Sequence, residues 1–296
     1  MLRDEHEPTT APGYIGARDP GEAERLVAQE AGGLEELRAA LALHSPGTTP
    51  RVLELGCGSG VFTRALLAAL PAATITATDR DPRLLEAARA ALATATHAKR
   101  VTFAQADAAG LPFPARAFDL VACRCLLMHT PDPLAVTGEM FRVAAVGGVA
   151  LAIEPDWGAR ALYPDAEALA ELLTLARRAR AYGFPDLLLG RKLFALFRAS
   201  GFTAIQVHAT AFSETAAQVA ATDDDTATTI TGPERLLAQG RALLRQASLA
   251  DDAALDALIA RLTATRQHPE YFSAGMDFAA VGVKPSLLLA ESERYG

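Results

Sequence analysis

An α/β fold built on a parallel sheet covered on both faces is predicted by three observations. Strand-like apolar runs alternate with helix-like segments from residue 52 to 155, the strands are apolar almost without a break, and glycine or proline punctuates the joints. "VLEL" (52–55) reads as the first strand, Val61 to Leu70 as a helix ended by Pro71, and "TITATD" (74–79) as the second strand, which together make a βαβ unit. Asp81 and Pro82 supply a cap and a first-turn proline for the helix "RLLEAARAALATA", and "VTFAQAD" (101–107) follows as a third strand. "FDLVACRC" (118–125) is the fourth. Asp132-Pro133 opens a helix through "LAVTGEMFRVAA", Gly147-Gly148 stops it, and "VALAIEP" (149–155) is the fifth strand.

Ahead of this core, residues 1–12 are polar, and Pro20 to His44 carries apolar residues at helical spacing broken by Gly32-Gly33, so two leading helices are expected. Behind it, the spacing predicts helices at about 165–182 and 187–200, a strand "TAIQVHATAF" (203–212), helical material over 233–266 and a last strand "DFAAVGV" (277–283). The segment 215–233 reads as a linker. The late helices cannot pair with the sheet. Their apolar faces must pack over its edge or top, as a cap where ligands of open α/β sheets bind.

Composition narrows the function classes. With 296 residues and 50% hydrophobic content the chain fills one large core. The longest unbroken apolar stretch, Val143 to Ile153, is too short to span a bilayer, and "MLRDEHEPTTAP" has neither the basic start nor the apolar run of a signal peptide, so a soluble, cytoplasmic protein without a membrane partner is expected. The 28 Lys plus Arg stand against 35 Asp plus Glu, net charge -7, with no basic block, which argues against nucleic acid. Cys57, Cys123 and Cys125 match no zinc or disulfide spacing; reduced thiols and no metal are expected. Apolar faces on the added helices suit a cover over the site or a dimer contact, so a monomer or homodimer is expected.

The chemistry concentrates at "ELGCGSG". Gly56, Gly58 and Gly60 sit where a strand turns sharply into a helix, a geometry that bares backbone N–H groups and lets a ligand come close. Tight packing of strand on helix is the plainer use of such a turn. A dinucleotide fingerprint wants glycine or alanine at the sixth position, here Val61, and a P-loop needs a lysine that "GCGSGVFT" lacks. Three carboxylates fall at the C-terminal ends of consecutive strands: Glu54, Asp79 and Asp107. They converge on one crevice, where a diphosphate would be repelled. A cationic ligand carrying an ammonium, a ribose diol and an exocyclic amine would find acceptors for all three.

"VLELGCGSG", then "ATDRD", "QADAAGLPF" and "FDLVACRCLLMHTPDP", closely resembles the class I S-adenosylmethionine-dependent methyltransferases, above all bacterial small-molecule enzymes similar to the ubiquinone and menaquinone biosynthesis type. The resemblance runs from about Val52 to Pro155. It implies a Rossmann-like, seven-stranded, mostly parallel sheet with helices on both faces, in which "DFAAVGVKP" is an antiparallel seventh strand between the fifth and sixth. The cofactor it implies is S-adenosyl-L-methionine, with S-adenosyl-L-homocysteine as product. Gly56, Cys57, Gly58 and Gly60 would line its methionine part, with Glu54 organising the turn or meeting the ammonium through water. Asp79 would accept from both ribose hydroxyls, Arg80 would flank the adenine, and Asp107 with the backbone of Ala108 would hold the adenine edge. Arg124 would lie beside the methionine end, and Tyr14 or Gln29 from the leading segment would close over the cofactor.

The expected units are therefore a tail with leading helices (1–45), a cofactor-binding core (46–160), helices with the sixth strand (161–212), a helical insertion or cap (213–270) and the antiparallel strand with a tail (271–296). That insertion is longer than the hairpin usual in the family. Acceptor contacts are expected after the fourth and fifth strands. His129 in "LLMHTPDP" is the candidate catalytic base, against the alternative of a histidine that bonds its own loop. Glu154, Asp156 and Trp157 in "IEPDWG" could hold a cationic or aromatic acceptor or could cap and pack. Phe184 and Met276 could line the acceptor cavity or belong to the core. The function expected is methyl transfer to a small molecule, an aromatic or heteroaromatic natural-product scaffold, by O-, N- or C-methylation. The alternatives are an NAD(P)-dependent oxidoreductase, which Val61 and Glu54 disfavour, and a sulfonium-binding protein that assists a different reaction.

Overall fold

The computed structural model describes residues 37–38, 41–42, 44–93, 99–221 and 232–286. Tyr14 and Gln29 lie outside the described residues, as does most of the leading segment.

One seven-stranded sheet organises the chain. Its strands are β1 (Arg51–Leu55), β2 (Thr74–Asp79), β3 (Val101–Gln105), β4 (Phe118–Arg124), β5 (Ala144–Tyr163), β6 (Thr203–Thr215) and β7 (Phe272–Val283), in the order β3-β2-β1-β4-β5-β7-β6. The first five run parallel, and β7 lies antiparallel between β5 and β6. This is the arrangement the resemblance implies. Eight α-helices accompany the sheet among the described residues: α1 (Val61–Ala69), α2 (Pro82–Ala91), α3 (Pro133–Val143), α4 (Ala166–Ala179), α5 (Leu193–Ser200), α6 (Ala216–Ala221), α7 (Pro233–Gln246) and α8 (Asp252–Arg266).

Period-two alternation divides the core between the two faces of the sheet. Val52, Ile75, Leu120 and Ile153 pack with Phe62 and Leu66 of α1 and Leu85 of α2 on one face. Leu53, Leu55, Val121 and Ala152 pack with Met140 of α3 and Phe197 of α5 on the other, in a cluster that continues under α4, α7 and α8. Each fully buried Leu or Phe contributes about 1.5–3 kcal/mol. The helices start where the sequence puts an acid: Asp81, Asp132, Asp165 and Asp251 accept from the backbone N–H of Arg83, Ala135, Ala168 and Ala254. Such a cap stabilises a helix by about 1 kcal/mol.

The differences from the sequence expectation lie on the antiparallel side. β5 covers twenty residues, where "VALAIEP" alone looked like strand. Pro155 and Gly158 read locally as breakers, yet β7 supplies cross-strand partners on both sides of a bulge, from Asp156↔Met276 to Ala161↔Ala274. β6 and β7 lengthen with it, so the expected unit boundary at 160 falls inside a continuous strand. β4 ends at Arg124 because Cys125 takes a left-handed φ of 51°. The helix expected from 187 begins only at Leu193, since Asp186 and Asp156 take the N–H groups of Leu188 and Arg191 and hold the preceding residues in turns.

Candidate active site

The crevice opens at the C-terminal ends of β3, β2, β1 and β4, which are neighbours in the sheet. Gly56, Gly58 and Gly60 have φ of 67°, 54° and 90°, a left-handed run that side chains other than glycine adopt at a cost. A Cβ on Gly56 would stand 2.8 Å from Leu126 Cδ1, in the loop after β4, so the turn also needs the missing side chain. Asp79 shapes this turn. Its Oδ2 accepts from Gly58 N at 3.0 Å and its Oδ1 from Asp81 N at 2.9 Å, which ties the end of β2 to the glycine turn and to the start of α2. Burial raises its pKa, and the two N–H groups oppose that rise. Each carboxylate oxygen retains a second lone pair for a ligand hydroxyl.

Glu54 lies beneath the turn with no exposed surface. Burial pushes its carboxyl up to about 8, the Thr63 hydroxyl alongside opposing this and the Asp79 charge adding to it. Neither of its oxygens has a hydrogen bond among the described residues, and the same holds for the hydroxyls of Ser59 and Thr63. A buried carboxylate without a partner is costly unless a ligand or water supplies one. Cys57 is buried in the same turn, its thiol pushed up first by burial and then by Glu54 and Asp79, so it is an inert wall group.

The third acid, Asp107, is exposed just past β3, where its Oδ1 accepts from Ala109 N at 2.9 Å and its carbonyl from Gly110 N. Ala108 is half-buried beside it, and Arg80 is exposed with its carbonyl accepting from Gln105 Nε2 at 2.9 Å. The loop between β3 and β4 is pinned from below by a pair that the sequence did not single out. Glu139 accepts from Leu111 N, and Arg142 donates to Glu139 and to the carbonyls of Leu111 and Phe113. The spacing of three on one helix was the available signal. Arg124 ends β4 half-buried, with a buried Nε that has no partner among the described residues.

Beyond β4 the structure separates residues that looked alike in sequence. Glu154 is fully buried and accepts from Leu126 N, Leu127 N and Met128 N at 2.8, 2.6 and 3.4 Å, so it caps the short turn carrying His129. Burial pushes its carboxyl up to about 8 against those three donors. His129 is half-buried at the end of that turn. Asp156 forms a bidentate pair with Arg191, both contacts at 2.6 Å, and also accepts from Arg191 N. Phe184 has no exposed surface, and its ring lies where a Cβ on Gly240 of α7 would be, which makes it a core residue. Met276 remains 40% exposed on β7. Trp157 is buried under the guanidinium of Arg160, 5.0 Å from its ring centroid.

Above these strands the α7–α8 hairpin is laced by ion pairs of Arg241 and Arg245 with Asp252, and it is clamped to α4 through Arg261, which pairs with Asp165 and Glu171. A cavity of about 420 Å³ between α4 and this hairpin is lined by Glu171, Thr174 and Arg178 among others, and no strand-end residue reaches it.

The crevice thus fits the cofactor the sequence implied: a glycine turn under close approach, an unpartnered buried acid behind it, and two further carboxylates along the same edge. The family model described as a methyltransferase domain matches residues 52–148, and together with the fold and the motifs it supports the resemblance to the class I S-adenosylmethionine-dependent methyltransferases. Among individual proteins it is similar to the demethylmenaquinone methyltransferase of Lactococcus lactis, 31% identical over 173 residues that cover 52% of this chain and 66% of the relative. It is similar also to the trans-aconitate 2-methyltransferase of Methylobacterium radiotolerans, 37% identical over 119 residues, covering 40% of this chain and 43% of the relative. The chain thus spans less than two thirds of the length of these relatives. In fold it matches a phosphoethanolamine N-methyltransferase of Haemonchus contortus solved with S-adenosyl-L-methionine, TM-score 0.55 at 18% identity over 93% of this chain and 61% of the other.

Proposed function

We propose that the protein transfers a methyl group from S-adenosyl-L-methionine to a small-molecule acceptor, an aromatic or heteroaromatic natural-product scaffold. The observation that carries this reading is the acid set at one edge: Glu54 buried and unpartnered among the described residues, Asp79 fixing the glycine turn, and Asp107 exposed beside it. The cofactor brings the activated methyl group. The chain's part is then to hold, align and dry the reactants for an in-line displacement.

In this reading Gly56 to Gly60 let the backbone approach the methionine portion, and Glu54 offers its oxygens to the ammonium. Asp79 accepts from the ribose hydroxyls while holding Gly58 N, and Asp107 with Ala108 faces the adenine edge, flanked by Arg80. Arg124 stands beside the methionine end. Where the acceptor has a proton to lose, His129 on the Glu154-capped turn is the base. Asp156 and Glu154 position that wall through Arg191 and the Leu126–Met128 turn and do not touch the acceptor. Calorimetric titration with S-adenosylmethionine, S-adenosylhomocysteine and NAD(P)H tests the reading. Micromolar binding of the two sulfur ligands without the dinucleotide is expected, and binding of the dinucleotide alone overturns it.

A further inference from the structure

We propose that Arg160 is the acceptor's anion anchor, so that the molecule methylated is elongated, with a planar apolar body and a carboxylate at one end. The inference rests on the methyl-transfer reading above. Arg160 sits on the part of β5 that continues past the crevice edge, six residues beyond Glu154 and therefore at most about 20 Å further along the strand. Its guanidinium lies between two aromatic rings, 5.0 Å from the Trp157 centroid and 5.8 Å from that of Phe212. Nε donates to Ser273 Oγ at 2.9 Å, which orients the fork.

The two terminal nitrogens have no hydrogen bond among the described residues, and Arg160 forms no ion pair there. The acids nearby act on Arg160 only through their charge, and Glu234 keeps one buried oxygen, Oε2, without a hydrogen bond among the described residues. Glu214 accepts from Tyr271 Oη at 2.9 Å and stands 3.5 Å from Arg266 Nη2, while Arg266 Nη1 lies 3.6 Å from Glu234. Arg266 thus bridges both carboxylates and leaves Arg160 without one. Aromatic faces attract a cation but accept no N–H bond of ordinary strength, so the terminal N–H groups of this half-buried side chain are left for water or a ligand. A planar carboxylate matches that fork with two parallel bonds, and the flanking Trp157 and Phe212 suit an apolar body next to it.

The test uses the full chain loaded with S-adenosylhomocysteine and two probes, para-hydroxycinnamate and a long-chain para-hydroxyphenyl alkanoate, each titrated beside its own carboxamide. The acid is expected to bind about tenfold or more tighter than the amide for at least the longer probe. Arg160→Met should erase that preference and Arg160→Lys retain part of it, with S-adenosylhomocysteine affinity unchanged in both. Ser273→Ala, which keeps the charge and loosens the fork, should reduce the preference a few-fold and covers the case in which Arg160→Met does not fold. Equal binding of acid and amide, including no binding of either, overturns the proposal, as does a preference that survives in folded Arg160→Met. Failure of S-adenosylhomocysteine to bind overturns the methyl-transfer reading instead, and the acid-to-amide ratio still reports on Arg160.

Discussion

The parallel half of the sheet, β3-β2-β1-β4, and the antiparallel half, β5-β7-β6, handle polar groups in opposite ways. In the first the strands are five to seven residues long and end together, and the turns after them leave Glu54, Ser59, Thr63 and Arg124 Nε buried without partners among the described residues. In the second the strands are 20, 12 and 13 residues long, and its acids are largely paired: Asp156 with Arg191, Glu154 with three N–H groups, Glu214 with Tyr271. The Thr210 hydroxyl on β6 and the terminal nitrogens of Arg160 on β5 lack partners among the described residues. Unsatisfied acceptors at the first edge are prepared for a ligand, whereas the paired acids of the second half build the wall beside it. The difference implies that substitutions in the two halves separate into losses of affinity and losses of stability.

The largest expected effect is at Asp79. Asp79→Ala removes the bonds to Gly58 N and Asp81 N together with the proposed ribose contact, so S-adenosylhomocysteine affinity should fall about 10- to 100-fold, from roughly 1.5–3 kcal/mol of charge-assisted bonding. Unchanged affinity by calorimetry would remove the proposed ribose role. Asp156→Ala is the counterpart in the antiparallel half. It leaves Arg191, which is half-exposed, without its partner, and should lower unfolding free energy by about 1–3 kcal/mol in denaturant titration while cofactor affinity stays within twofold. A large affinity loss there would break the division between the halves.

A smaller effect is expected from pH. Glu54 moves from an ordinary 4.5 to about 8 on folding, and Glu154 does the same, so between those values the folded chain holds protons the unfolded chain has released. The ligand-free protein should therefore lose stability as pH rises from about 4.5 to about 8, and Glu54→Gln should flatten that slope in denaturation midpoints. An ammonium placed at Glu54 favours the ionised form, so binding near neutral pH should release a proton. Titrations in two buffers of different ionisation enthalpy would show it, and equal heats would move the ammonium elsewhere. The smallest effect belongs to the surface of the α7–α8 hairpin: Arg241→Ala loses pairs with Asp252 and Asp256 and should cost about 0.2–1 kcal/mol of stability, with activity unchanged. A change in turnover would mean that the α7–α8 hairpin moves during catalysis.

Legibility in the sequence followed the same division. β1 to β4, the acids at their ends and the glycine turn are local features, readable from short apolar runs and turn residues, and the structure places them within a residue or two of expectation. "IEPDWG" was readable as a site segment but not as to role. Glu154 and Asp156 differ because one meets the N–H groups of Leu126–Met128 and the other Arg191, partners 26 to 35 residues away. Phe184 and Arg160 were undecidable for the same reason, since Gly240, Ser273 and Phe212 are brought to them by the tertiary fold.

By itself, then, the sequence determined the alternation that makes a parallel sheet, the left-handed glycine turn and the row of carboxylates, because propensity, capping and turn chemistry act between near neighbours. Only the tertiary structure decided how far β5 extends, which buried acids are satisfied and which wait for a partner, and that Arg160 is left between two rings. Those depend on cross-strand pairing and hydrogen bonds between residues more than 100 positions apart, whose meeting is fixed by the packing of the whole core.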